Sequence, residues 1–429
     1  MKKAINFVLS LASGLLITSS MTLMVRAQGR DGVTNGNIPD SYIVVFHENV
    51  TAPEEHANGM ARKYGLGLTY IYSHAIKGFS ATIPAVRLEQ IKKDPSVKFI
   101  SQDRMVSADV HVQGKPNPSP VPQPTQVIPN GIKRIGRNTT DLGTNIGVAV
   151  IDTGIDLKHP DLIENIKGNI TCVNRTTTGN DDNGHGTHVA GTIAARDNAI
   201  GVIGVAPEAN LYAVKVLDKR GSGSWSSVIC GIDWVTKWVK DHPNTIQVAN
   251  MSLGGSGNSD KNCGNTDGDA LHQAICRSRD AGITYVVAAG NEKDDAANHV
   301  PAAYDDAVIT VSALVDTDGL SGGLGSNTNY GNDDTFASFS NFSPIIVDLG
   351  APGVSIHSTW KGGAYNTISG TSMATPHVAG AAALYILNNP QSSWVDVKDG
   401  LISSGEANGF GHTDPSLLHP EVVLRAGNL

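Results

Sequence analysis

The chain has 429 residues, 40% of them hydrophobic and only 17% charged, with 47 glycines. That balance excludes a disordered chain and a charged helical bundle, and it fits a loop-rich globular enzyme with one large α/β domain and a small companion. A formal net charge of −8 leaves no basic footprint, so no nucleic acid is expected as partner.

The N-terminus reads Met1-Lys2-Lys3, an apolar stretch from Ala4 to Met24, then Val25-Arg26-Ala27. A basic start, an apolar middle and small residues at the last and third-last positions describe a secretory signal, residues 1–27, cut after Ala27. Ser13, Thr18, Ser19, Ser20 and Thr22 interrupt the apolar run, which argues against a membrane anchor. The mature protein is therefore expected outside the cell, without a stable membrane anchor and as a monomer. Residues 28–39 read as a flexible leader. Tyr42–Phe46, Gly78–Ile83 and Val97–Ile100 carry strand patterns, and Glu54–Tyr64 and Val86–Lys93 carry helical ones. The alternation predicts a small α+β sandwich of the ferredoxin-like type, about residues 40–108. After it, residues 109–124 include a Pro-rich run from Lys115 to Pro124 that reads as a semi-rigid linker.

From Thr125 to the C-terminus, apolar strands alternate with helices. Strands are predicted at Gly147–Ile151, Leu211–Leu217, Gln247–Leu253, Thr284–Ala289 and Ala307–Leu314. Helices are predicted at Gly186–Arg196, Ser226–Lys240, Asp269–Ala281 and Thr371–Asn388. Near-continuous apolar strands with helical crossovers predict a doubly wound, mostly parallel sheet covered on both faces. Ligands of such sheets bind beyond the carboxyl ends of the strands.

Four cysteines allow three pairings. Cys263 and Cys276 bracket a Gly/Asn/Asp-rich loop and are the expected bridge, worth ~3 kcal/mol in the chain-entropy model. Cys172 and Cys230 read equally well as a second bridge or as buried thiols.

Three stretches carry residue types suited to chemistry. Asp152-Thr153-Gly154 follows the strand Val148–Ile151, Asn183-Gly184-His185-Gly186-Thr187-His188 opens a helix, and Gly370-Thr371-Ser372-Met373-Ala374 opens another. Singly they read as a turn aspartate, a metal-binding histidine pair and an N-cap serine. Together they supply an orienting carboxylate, a base and a nucleophile for acyl transfer, in the chain order Asp, His, Ser. An aspartic peptidase would need a second Asp-Thr/Ser-Gly motif or a dimer, in mostly β architecture. A zinc hydrolase built on His185 and His188 lacks an evident third ligand.

These motifs resemble the subtilisin family of serine peptidases. The resemblance covers nearly the whole chain, with residues 125–429 like the catalytic domain and residues 28–108 like the propeptide, which inhibits the enzyme and aids its folding. It implies a self-processed, broadly specific endopeptidase acting on proteins and peptides. Asp152, His185 and Ser372 would form the triad, and Asn291, in Ala289-Gly290-Asn291-Glu292, would line the oxyanion hole. Ser252, Leu253 and Gly254 resemble a wall of the primary specificity pocket. Gly221, Ser222 and Gly223 resemble the strand edge that pairs with substrate, and Trp225 would line a more distant apolar subsite. The implied cofactor is Ca2+, held by Asp161, Asn198, Gln126 and carbonyls of Arg196, Ile200 and Val202. Large apolar or aromatic side chains are the family preference, although the chain departs from the common pattern at Asn298-His299-Val300-Pro301. The stretch Asp316–Asp334 is longer than in the simplest members, and its Asp316, Asp318, Asp333 and Asp334 read either as a further cation site or as a mobile loop.

Overall fold

A computed structural model describes residues 36–108, 123–137, 139–427 and 429. The signal segment and most of the Pro-rich linker lie outside the described residues. The N-terminal unit runs β1 (Asn37–Phe46), α1 (Pro53–Tyr64), β2 (Gly67–Tyr72), β3 (Gly78–Thr82), α2 (Ala85–Lys92) and β4 (Val97–Ser107). Its strands lie in the order β2-β3-β1-β4, all antiparallel. Helix α1 has Pro53 in its first turn, Glu54 and Glu55 at its positive end, Arg62 and Lys63 at its negative end, and left-handed Gly65 just after it. Its buried residues Ala57, Met60 and Tyr64 pack on Val44, Phe46, Phe79 and Ala81. Ile43 and Val45, pointing the other way, join the core of the large domain. Both faces of β1 are covered, which is why Ile43-Val44-Val45-Phe46 is an unbroken apolar run.

The large domain begins with α3 (Asn130–Arg134), β5 (Gly147–Asp152), β6 (Ile166–Thr171), α4 (His185–Ala194), β7 (Asn210–Lys215), β8 (Ser222–Ser224) and α5 (Trp225–Asp241). It continues through β9 (Val248–Met251), β10 (Gly255–Ser256), α6 (Ala270–Asp280), β11 (Thr284–Ala288), β12 (His299–Val300), β13 (Ile309–Leu314) and β14 (Leu349–Pro352). It closes with β15 (Ile356–Trp360), β16 (Ala364–Ile368), α7 (Thr371–Asn388), α8 (Trp394–Ser404) and β17 (Val422–Val423). Eight strands form one parallel sheet in the order β17-β14-β13-β11-β9-β5-β7-β6. The chain leaves β5 for β6 and β7 on one side, then crosses to β9 on the other. The reversal at β5 is where this architecture opens a crevice. Val148 and Val150 pack with α4 and α7, whereas Ala149 and Ile151 pack with α5 and α6. Helix α7 is apolar on every side and buried along most of its length, as a helix through a core must be.

The fold is α/β with the expected mostly parallel sheet, and three readings need correction. The N-terminal unit has four strands of its own where three were expected, because β2 went unread. Strand β4 runs on to Ser107 instead of ending at Ile100, since the polar residues 101–104 pair with β1 instead of turning and residues 105–107 pair with β8. Strands β6 and β14 to β17 and helix α8 were also missed. All four cysteines pair, as Cys172–Cys230 and Cys263–Cys276. The first bridge ties the end of β6 to α5 across 58 residues, worth about 4 kcal/mol by loop-closure entropy.

Candidate active site

Asp152 ends β5 at the reversal point and is buried, with its Oδ1 accepting the Thr153 N–H at 2.6 Å. His185 is the first residue of α4, and its Nδ1 lies 2.8 Å from Asp152 Oδ1 and 2.9 Å from Oδ2. The approach is close because Gly186 has no side chain: a Cβ there would sit 2.1 Å from the Gly154 carbonyl oxygen. A buried aspartate that the sequence reading missed holds this turn. Asp181 accepts the N–H groups of Asn183, Gly184 and Thr187 and the hydroxyls of Thr153 and Thr187. It thereby takes the open Thr187 donor in the first turn of α4, while Asn183 Oδ1 takes that of His185 and the Thr153 hydroxyl oxygen that of Gly186. Lys215, equally unread, is fully buried and donates to the carbonyls of Thr153 and Leu217 and to Asp182. Asp181-Asp182-Asn183-Gly184 does carry a turn signal, but nothing local announces Lys215.

Ser372 is the second residue of α7, where the helix N-terminus favours negative charge. Its hydroxyl donates to the Ser252 carbonyl at 3.2 Å, and the Ser252 hydroxyl donates to the Ser372 carbonyl at 2.9 Å. Ser252, expected as a pocket wall, thus anchors the turn at Ser372, while Leu253 and Gly254 line the adjoining pocket. Asn291 lines the same pocket. Its Oδ1 accepts the Thr371 N–H at 2.8 Å and the Thr371 hydroxyl at 3.0 Å. Because an N–H needs an acceptor, these bonds fix which end of the amide is oxygen. Ala288, Val300 and Ala302 give the pocket an apolar wall, and Glu292 and His299 line it as well. His188 is not available to a metal through Nε2, which lies 2.9 Å from the Ile356 carbonyl, and burial pushes its pKa down to about 3.

The chain's own strand β4 lies beside this pocket. Met105, Val106 and Ser107 pair antiparallel with Ser224, Gly223 and Ser222. Ser107 exchanges backbone hydrogen bonds with Gly254 at 3.2 and 3.0 Å, and Ala108 donates to the Gly221 carbonyl at 2.9 Å. The segment is therefore the middle strand of three, between the two edges expected to bind substrate. Val106 is buried in the same apolar cluster as Trp225 and Leu253. Two carboxylates secure the N-terminal unit on α5. Asp103 accepts the Ser226 N–H and hydroxyl at the start of α5, and Asp233 accepts the N–H groups of Ser73, His74 and Ala75.

The expected cation ligands also converge. Asp161 is buried, with Oδ1 accepting from the Asn198 amide at 3.0 Å and Oδ2 from the Val202 N–H at 3.0 Å. Burial pushes its pKa up to about 6. The Gln126 amide donates to the carbonyls of Arg196 at 2.7 Å and Val202 at 3.4 Å. Ile200 meets Asn198 through its N–H, so its carbonyl is the one proposed donor that no described contact places. Asp161 and the carbonyls of Arg196 and Val202 offer oxygen as they stand, and Gln126 would offer its amide oxygen on turning over, whereas the Ile200 N–H holds Asn198 Oδ1 and leaves the Asn198 NH2 toward Asp161.

The chain matches the family model described as "Subtilase family" over residues 143–417 and that described as "Peptidase inhibitor I9" over residues 41–109. It is 39% identical to Subtilisin NAT of Bacillus subtilis subsp. natto, over 77% of this chain and 75% of that one. It is 36% identical to Alkaline serine exoprotease A of Vibrio alginolyticus, over 85% of this chain and 64% of that one. Among solved structures it resembles a cold adapted subtilisin-like serine proteinase, with a TM-score of 0.56 and 34% identity, covering 69% of this chain and 97% of that chain. These matches make the chain a serine endopeptidase carrying its own inhibitor domain. The chain belongs to the subtilase family.

Proposed function

We propose that the protein is exported, matures by cutting its own N-terminal unit away, and hydrolyses extracellular proteins through Asp152, His185 and Ser372. Ser372 Oγ attacks the scissile carbonyl carbon as His185 Nε2 takes its proton. Asp152 holds the ring through Nδ1 and stabilises the imidazolium that forms. The Asn291 NH2 and the Ser372 N–H receive the developing oxyanion. His185 returns the proton to the leaving amine, and water then releases the acyl group by the same steps. Only neutral imidazole accepts the serine proton, so activity is lost on the acid side.

The observation that carries this reading is β4 itself, an extended peptide held between Gly221–Ser224 and Gly254 beside Ser372 and Asn291. Backbone pairing of this kind gives affinity with little demand on side chains, which supports broad specificity. The matured enzyme is expected to cut a denatured protein at many bonds, with apolar residues favoured before the cut. The separated unit of residues 28–108, added back, is expected to inhibit it. No hydrolysis, or hydrolysis indifferent to that unit, would overturn the reading. No described helix is long and apolar enough to cross a membrane, and export rests on the sequence of residues 1–27.

Calcium is proposed at Asp161, Asn198 and Gln126 with the carbonyls of Arg196, Ile200 and Val202. Bound there, it would supply charge balance and a cross-link between residues 124–127 and the 196–202 loop, and no part of the chemistry. Chelation is therefore expected to shorten the half-life at elevated temperature far more than it lowers initial turnover. Binding to the folded state alone adds about 2.7 kcal/mol at a hundredfold excess over Kd. An unchanged thermal inactivation rate in chelator would count against the site.

A further inference from the structure

We propose that Asp316, Asp318 and Asp333 form a second divalent-cation site, of calcium type, which fastens the 316–334 loop beyond the carboxyl end of β13. One carboxylate oxygen from each of the three lies within 4.8 Å of the others. Two oxygens sharing one calcium ion at about 2.4 Å lie no more than about 4.8 Å apart, so this spacing suits a single ion. Acidic clusters on a surface are usually just solvated, but two of these three carboxylates are buried. Asp316 and Asp333 are 3% and 4% exposed.

The unexplained atom is Asp316 Oδ2, which is buried and has no hydrogen-bond partner among the described residues. Its companion Oδ1 accepts the Gly319 N–H at 3.0 Å. Asp333 Oδ1 accepts the Thr317 N–H and hydroxyl, its Oδ2 accepts the Gly325 N–H, and Asp318 Oδ1 accepts the Leu320 N–H. A buried carboxylate oxygen left without donor or cation is costly, and native interiors rarely keep one. The cation whose field reaches Asp316 is Arg134, and Arg134 is already engaged by Asp334 at 2.6 Å and Glu406 at 2.7 Å. Oxygen donors alone, without thiolate or imidazole, select a hard cation over zinc.

The loop has reason to need such a tie. Leu320 and Leu324 are 63% and 85% exposed, so no apolar side chain anchors the stretch between Gly319 and Gly325, whereas Tyr330, packed edge-on against Phe339, holds the far end of the loop. Gly319, Gly322, Gly323, Gly325 and Gly331 add to the entropy that ordering it must overcome. The site shares no residue with the one proposed at Asp161, and each can fail without the other.

The test uses the full chain carrying Ser372→Ala, which cannot digest itself, and equilibrium dialysis with radioactive calcium. Asp161→Asn is expected to retain bound calcium, and adding Asp316→Asn or the half-exposed Asp318→Asn is expected to remove one further equivalent. A second measurement keeps the loop intact. In the Asp161→Asn background, calcium is expected to slow chymotrypsin cleavage at Leu320, Leu324 and Tyr330 at least tenfold, relative to a free peptide cut in parallel. Unchanged stoichiometry in both aspartate variants, or cleavage indifferent to calcium, overturns the proposal.

Discussion

Ser372→Ala is expected to accumulate as an uncut chain lacking only the signal, with the N-terminal unit still seated across the cleft. The course of β4 is the reason. Its last residues, up to Ala108, pair with both edges proposed to bind substrate, so the processing bond is expected shortly after them in sequence. The unit stays bound after substitution because Asp103, Asp233 and the apolar cluster around Tyr72, Ile76 and Val106 do not involve the hydroxyl. Residual peptide hydrolysis should fall by roughly 10⁶-fold, the loss found when the nucleophile of such a triad is removed. Intact mass of both proteins, purified from a host deficient in other peptidases, reads the result. If Ser372→Ala matures as fully as the unaltered chain, self-processing by this triad is wrong.

Asn291→Ala is expected to lower kcat by about 10²–10³ with KM little changed, a loss of roughly 2.7–4 kcal/mol in the transition state. That magnitude was established on subtilisin, a member of the same family. The physical reason for expecting it here is the fixed orientation of the amide, whose oxygen accepts from Thr371, on a residue that lines the same pocket as Ser372. A donor aimed in advance at a developing charge does not have to reorganise during the reaction. An effect confined to KM would mean that Asn291 shapes the pocket and does not hold the oxyanion.

The residues of the candidate site were legible because each sits where chain geometry changes within a recognisable pattern. Val148–Ile151 is an unbroken apolar run ending in Asp152, and the glycines before His185 and Ser372 announce helix starts. Residues that serve the site through distant partners were not legible. Asp181 looks like any turn aspartate until Thr153 and Thr187 are folded against it, and Lys215 lies in a strand where a lysine reads as exposed. Strand β2 carried a signal in Thr69-Tyr70-Ile71-Tyr72 that deserved a reading. Edge strand β6, Ile166-Lys167-Gly168-Asn169-Ile170-Thr171, is paired on one side only and carries too little apolar pattern to stand out. The Cys172–Cys230 pairing depends on folding to bring β6 onto α5, and no local spacing encodes it.

The most direct test of the account is where a serine-directed phosphonate or sulfonyl fluoride reacts with the matured enzyme. Peptide mapping after inactivation should find a single adduct on Ser372, formed in proportion to lost activity and blocked by the added N-terminal unit. Inactivation with the adduct on another residue, or full activity after Ser372 is labelled, would contradict the assignment of Ser372 as nucleophile.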